Sequence, residues 1–334
     1  MKKITGRSAF LEILKDEGVT HLFGNPGTTE LPIMHALKDF PEIKYILGLQ
    51  ESIVVAMADG YSRATGKLSA CNVHVAPGLG NAMGAIYNAK FVGSPIIITA
   101  GQQEQGHGLM EPMLYGPLVR MAEPLVKWAT EVTRLEDLPR IMRRAAKIAL
   151  SPPTGPVFIS LPGDILNTEA KIDLGKSSRI IDTYKPNHDT IELIANKITK
   201  HKNPVIIAGH EVATSNAFTE ISSFAEITGS AVYQQTVPHG SHYPSEHIAF
   251  MGTLPRLQKP TKKILDNYDL LICIGCDGLR MSVWSEIEPL PPKMAIIHIG
   301  LDDWQIGKNY YTELGIIGNV KTTLNDLNLF LTNT

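Results

Sequence analysis

A chain of 334 residues that is 43% hydrophobic and 19% charged carries enough apolar material for a sizeable core and enough length for two domains. A net charge of −2, with no long lysine or arginine block, argues against nucleic acid or an anionic membrane surface as a partner. No apolar run reaches the roughly 18 residues of a membrane span, and three cysteines are too few for a disulfide framework, so a reducing cytoplasm is the expected setting.

The opening MKKITGRSAFLEILKDEG is interrupted by Arg7, Glu12, Lys15 and Asp16. It reads as an amphipathic helix capped by Thr5 and stopped by Gly18, not as a signal peptide. Strands and helices then alternate: HLFG (21–24), a helical stretch over 31–40, YILGL (45–49), a helix from Glu51, LSACNVHV (68–75), a helix from Asn81 to Phe91, and PIIITA (95–100). LVKWATEV (125–132), a helix over 135–150 and VFISLP (157–162) follow. The polar stretch 163–188 breaks the rhythm. A linker is expected over 166–188, between a first domain at 1–165 and a second at 189–334. The second domain repeats the alternation: a helix to His201, PVIIAG (204–209), a helix over 215–228, AVY (231–233), LLICIG (270–275), AIIHIG (295–300), LGII (314–317) and a helix over 319–331. Apolar strand runs between helices predict an α/β fold of two three-layer α/β/α domains, with mainly parallel sheets covered on both faces.

Four segments sit where strands of the first domain end, the place where open α/β sheets bind ligands. In FGNPGTTELP (23–32), Gly24 and Gly27 permit tight geometry, Thr28 or Thr29 can cap the next helix, and Glu30 falls in its first turn. In GLQESIVVAMADGYSRATG (48–66), Glu51 is a carboxylate with apolar flanks, followed by the small residues Ala56, Ala58, Gly60, Ala64 and Gly66. A carboxylate that loses hydration must be paired, protonated or put to use. In NVHVAPGLGNAMGA (72–85), a strand carries His74 and a turn with Gly78 and Gly80 opens a helix. That glycine spacing resembles a dinucleotide turn only loosely. The next strand ends in Gly101, Gln102 and Gln103, without an acid to hold a ribose, which disfavours a nicotinamide oxidoreductase. The fourth segment, AGQQEQGHGLMEPMLYG (100–116), offers Met110, Met113 and Leu114 as candidate pocket lining. Elsewhere, Cys273 and Cys276 lack a second pair for zinc, His239, His242 and His247 lack helical metal spacing, and AGHEV (208–212) reads as structural.

Taken in order, GNPGTTELP, LQE, the DGYSRATG tail, NVHVAPGLGNAMGA and TAGQQ resemble the thiamine-diphosphate-dependent 2-oxo acid decarboxylases and carboligases. The benzoylformate decarboxylase branch is nearer and the acetolactate synthase branch more distant. The resemblance implies a pyrimidine-binding domain followed by a Rossmann-like central domain. It also implies decarboxylation of a 2-oxo acid, with or without ligation to a second carbonyl. By this resemblance Glu51 binds the cofactor's aminopyrimidine and activates it. His74 relays protons, and Thr28 takes the place of a serine that binds the substrate carboxylate. Asn25, Pro26, Gly27, Gly78 and Asn81 join Glu51 around the cofactor, and Met113 and Leu114 line the substrate pocket. Ser282, in GCDGLRMSVWSEI, falls near a histidine of the benzoylformate branch, so a relay through that second imidazole is not expected here.

The family's third domain holds the cofactor's diphosphate through Mg²⁺ with a G-D-G stretch and a later Asn, and no such pair occurs in this sequence. The expected partner is therefore a separate diphosphate-binding subunit that carries the Mg²⁺, in a homodimer or hetero-oligomer sharing thiamine diphosphate. FAD, which some relatives bind through the central domain, is not expected, because AGHEV lacks a glycine cluster. Two other readings stay open: a non-catalytic binding or regulatory subunit on the same fold, and a nucleotide-dependent oxidoreductase.

Overall fold

In the computed structural model, which describes residues 3–333, the chain divides into two units after Ile180. The first is built on a six-stranded, fully parallel sheet in the order β3-β2-β4-β5-β7-β6. Its elements run β1 (Lys3–Thr5), α1 (Gly6–Asp16), β2 (His21–Gly24), α2 (Leu31–Ala36), β3 (Lys44–Leu47), α3 (Glu51–Thr65), β4 (Ser69–Val73) and α4 (Val75–Val92). They continue with β5 (Ile96–Gln102), α5 (Leu118–Ala122), β6 (Ala129–Glu131), α6 (Leu138–Leu150), β7 (Val157–Pro162), α7 (Gly163–Asn167) and β8 (Glu169–Lys171).

β4, β5 and β7 are buried at every position, because helices cover both faces of the sheet. Phe10, Leu14 and Met142 of α1 and α6 fill one face, and Val54, Ala58, Leu79 and Leu118 of α3, α4 and α5 fill the other. Each fully buried large side chain, such as Phe10 or Phe158, stabilises the fold by about 2–3 kcal/mol. Thr5 caps α1 by accepting a hydrogen bond from the Ser8 N–H at 3.3 Å, and Gly18 ends it at φ +87°.

The stretch expected as a linker, 166–188, is divided. β8 pairs antiparallel with β1, and Arg143 of α6 donates to the carbonyls of Leu174 at 3.2 Å and Gly175 at 3.3 Å. With their backbone groups so satisfied, residues up to 180 belong to the first unit.

The second unit contains α8 (His188–Ile198), β9 (Pro204–Ala208), α9 (His210–Thr214), α10 (Phe218–Thr228), β10 (Ala231–Gln234), β11 (Phe250–Thr253) and α11 (Gln258–Leu265). It closes with β12 (Leu270–Ile274), β13 (Ala295–Gly300), β14 (Leu314–Ile317) and α12 (Val320–Thr332). Its sheet, also parallel throughout, has the order β11-β10-β9-β12-β13-β14. The helix expected over 215–228 begins only at Phe218, because the chain turns at Asn216, which takes φ +52°, a conformation asparagine tolerates. β11 is too short, and α11 too short and too polar, to stand out in the sequence. No helix among the described residues is long and apolar enough to cross a membrane.

In each sheet the chain turns back beside its first long strand. β3 lies on one side of β2 and β4 on the other, and β10 and β12 flank β9 in the same way. Connections leave in opposite directions at such a point and open a crevice beyond the strand ends.

Candidate active site

The crevice beyond β2 and β4 holds Glu51. Its carboxylate is only 7% exposed and accepts from the Asn25 Nδ2 at 3.1 Å and the Asn81 Nδ2 at 3.0 Å, one on each oxygen. Helix α3 does not consume Glu51 as its cap. Gln50 does that work, its Oε1 accepting from the N–H groups of Ser52 at 2.8 Å and Ile53 at 3.2 Å. Two of the roughly four acceptor positions of the carboxylate are thus left for a ligand. Gly78 faces the same group: a Cβ there would lie 3.1 Å from Glu51 Oε1. Asn25, Gly78 and Asn81, expected around a cofactor, therefore converge on this buried acid, and the acceptor positions it keeps fit a flat heterocycle that presents an N–H. Pro26 and Gly27 follow Asn25 on the same loop and are partly buried.

Gly78 and Gly80 do not form a turn before a helix at Asn81. α4 begins at Val75, because the chain reverses in a single residue: Val75 takes φ +43°, a sterically costly value for a β-branched side chain. Such strain persists where surrounding structure holds it, and it falls here immediately after His74.

The least expected residue is Glu30. It is 0% exposed and, far from merely joining a helix's first turn, it gathers the loop together. Its Oε2 accepts from the Gly27 N–H at 2.8 Å and lies 2.8 Å from His74 Nδ1. Its Oε1 accepts from the Thr29 hydroxyl and the Gly101 N–H, both at 2.8 Å. Thr29, rather than Thr28, is the threonine at the histidine, 3.2 Å from Nδ1, and Thr28 is exposed. In the sequence the one available signal was an acid beside two loop glycines.

Beyond β5, Gln102 Nε2 donates to the Gly116 carbonyl at 3.0 Å and Gln103 Nε2 to that of Met113 at 2.8 Å. These bonds pin the segment that carries Met113, 82% exposed, and Leu114. Ser282 belongs to the second unit, exposed on a loop, with its N–H donating to the Arg256 carbonyl at 3.0 Å.

The second unit's crevice is occupied by its own side chain. Glu211, just after β9, accepts from the Leu301 N–H at 2.7 Å and the Asp302 N–H at 3.3 Å beyond β13. Backbone donors that a nucleotide phosphate would seek there are thus engaged by a carboxylate. Burial raises the Glu211 carboxyl to about 7, with the Asp302 charge adding to the rise, and burial followed by the Arg280 charge lowers neighbouring His210 to about 4. An acid raised in the fold contributes stability that is complete below its unfolded pKa of about 4.5 and lost as pH rises through 7. The lowered histidine has the opposite slope, its contribution being lost as pH falls towards 4. Glu211→Gln removes only the first, so the stability of the variant relative to the wild type is expected to rise by about 3 kcal/mol between pH 4.5 and 7. Urea unfolding across that range measures it, and parallel curves would refute it.

The remaining candidates are packing groups. Cys273 and Cys276 are buried free thiols, and His298 Nε2 lies 3.0 Å from the Cys276 carbonyl. His247 bridges the Tyr243 hydroxyl at 2.9 Å and Glu226 at 3.1 Å. Among the described residues no three His, Cys, Asp or Glu side chains group so as to hold a metal.

Two family models match this chain: the N-terminal TPP binding domain of thiamine pyrophosphate enzymes over residues 4–113, and their central domain over residues 191–327. The benzoylformate decarboxylase of Pseudomonas aeruginosa is 32% identical over 327 residues, which cover 97% of this chain and 61% of that protein. A probable acetolactate synthase large subunit of Methanocaldococcus jannaschii is 31% identical over 334 residues, covering 96% and 55%. The solved structure of a thiamine diphosphate-dependent 4-hydroxybenzoylformate decarboxylase from Rhodococcus jostii RHA1 matches with a TM-score of 0.91 at 32% identity, over 98% of this chain and 62% of that one. The chain spans about three fifths of the length of these relatives. With both domain models matched in order and Glu51 at the sheet's crevice, the chain belongs to the thiamine pyrophosphate enzyme family and carries its N-terminal and central domains.

Proposed function

We propose that this chain supplies the aminopyrimidine side of a thiamine-diphosphate-dependent enzyme that decarboxylates a 2-oxo acid, with ligation to a second carbonyl as an alternative outcome. The observation that carries the reading is the buried Glu51 carboxylate, steadied by Asn25 and Asn81 and approached closely by Gly78. When bound, the cofactor supplies the carbon nucleophile and the electron sink for loss of CO₂. Glu51 would hold a proton against the aminopyrimidine in a dry site, where such a bond is strengthened. His74 would move protons to and from the substrate, and Thr28 would hold its carboxylate. Met113 and Leu114 would shape the space for its side chain. The resemblance supports these roles.

The cofactor's diphosphate and its Mg²⁺ are assigned to another region, on a partner chain. The family resemblance supports this, since the models matched here are those of the N-terminal and central domains. The three free thiols support a reducing compartment such as the cytoplasm.

Purifying the chain from its native extract and identifying its companions tests the reading. The expected companion carries the G-D-G and Asn pattern in stoichiometric amount. The pair is expected to release CO₂ from one or more 2-oxo acids when given thiamine diphosphate and Mg²⁺. A chain that comes out alone and binds no thiamine diphosphate would instead be a non-catalytic member of the fold.

A further inference from the structure

Glu30 presents an unusual balance. Its four donors are the N–H groups of Gly27 and Gly101, the Thr29 hydroxyl and the His74 ring. A carboxylate has about four lone-pair positions, and here each is met by a donor. A protonated carboxyl would need one of these neighbours to accept instead. Two of them are backbone N–H groups, which cannot. Thr29 already commits its proton to Oε1, and its oxygen, 3.2 Å from His74 Nδ1, can only share what the ring donates. Only His74 Nδ1 could accept from a protonated carboxyl, whereas the ionised carboxylate meets all four neighbours as donors, so an ionised Glu30 with a proton on His74 Nδ1 is the arrangement that best matches these contacts.

The site is built around this contact. A Cβ on Gly101 would lie 2.2 Å from Glu30 Oε1, and one on Gly27 would lie 2.3 Å from His74 Cε1 and Nδ1. Both positions admit only glycine while the carboxylate and ring remain in place. The Glu30 side chain is 1% exposed and that of His74 is 22%, so the ring bridges a buried anion and the open crevice. The strained Val75 fixes where the ring leaves β4.

We propose that Glu30 is a positioning residue that locks His74 in the Nδ1–H tautomer and leaves Nε2, on the opposite edge of the ring, as its basic nitrogen. When Nε2 takes a proton, the resulting imidazolium sits 2.8 Å from a fixed negative charge, and no proton passes to Glu30. The same division of labour between a buried acid and a histidine operates in serine proteases, where the acid orients the ring and is not itself protonated. The consequence for turnover rests on the function proposed above; the tautomer does not.

Long-range ¹H–¹⁵N spectra of the full chain labelled with ¹⁵N-histidine, recorded where His74 is neutral, read the tautomer directly. His74→Gln identifies the signal. The expected wild-type pattern is Nδ1 protonated and Nε2 bare, and the reverse pattern would overturn the proposal whatever any variant does. Glu30→Gln offers one acceptor and an NH₂ group to the same four donors. It is expected to move His74 to the Nε2–H form and, in the loaded enzyme, to lower kcat by about 10²–10⁴-fold with KM within about 3-fold. A folded Glu30→Gln chain that keeps the Nδ1–H pattern would refute the assignment. If that variant does not fold, the wild-type spectrum decides alone. If the wild-type pattern is as expected but the loaded wild-type enzyme releases no CO₂, the proposed function fails and the tautomer assignment stands.

Discussion

Glu51→Gln is expected to abolish turnover in the loaded enzyme, by 10³-fold or more by order of magnitude, while the chain folds and assembles as before. Glutamine keeps the shape and the position at the head of α3. It loses the charge and the carboxyl proton that Glu51 would share with the aminopyrimidine. It also brings an NH₂ group against two amide donors, Asn25 and Asn81, which now each meet an acceptor. One of those contacts becomes donor against donor, so a stability loss of about 1–3 kcal/mol is expected as well. That loss is small beside the activity loss. Steady-state kinetics of the loaded complex should be compared with thermal unfolding of the variant chain. A kcat within tenfold of wild type in a folded variant would remove Glu51 from the mechanism.

The largest expected stability effect lies at the other side of the same unit. Arg143 is 8% exposed and ties α6 to the end of α1, donating to Glu17 Oε1 at 2.6 Å and Asp16 Oδ2 at 2.9 Å. It also donates to Ser177 Oγ at 3.2 Å and to the two carbonyls at 174 and 175. Arg143→Met keeps an apolar side chain of similar reach but leaves Glu17, only 5% exposed, without its closest buried partner. Removing one member of a buried pair costs about 3–5 kcal/mol, because the other charge stays behind without hydration. Urea unfolding should show a midpoint shift of that size, together with earlier proteolysis within 174–180. A loss under 1 kcal/mol would mean that Arg179, also paired to Glu17, neutralises it unaided.

Seen beside these tests, the residues differ in how far they could be read from the chain. Strands buried on both faces are largely apolar, and β9 and β12 showed as unbroken runs for that reason, while β5 and β7 are interrupted only by Thr99, Gln102 and Ser160. Glu51 stood out because an acid between apolar flanks conflicts with its surroundings. Thr28 and Ser282 carried no such conflict, and their expected places at the substrate rest on the family resemblance alone.

The sequence by itself determined the α/β class, the two-part organisation and the one acid whose setting demanded a purpose, because burial and periodicity are local signals. Only the tertiary structure decided that Asn25 and Asn81 serve Glu51 from 26 and 30 residues away. It alone showed that Gly78 lies inside a helix, where it keeps the face of the acid clear. Glu30 is the sharpest case. Its neighbours in sequence make it an ordinary helix-start acid, whereas its partners His74 and Gly101 lie 44 and 71 residues on. A hydrogen bond between strand ends is set by the order of strands in the sheet, and that order leaves no periodic trace in the chain.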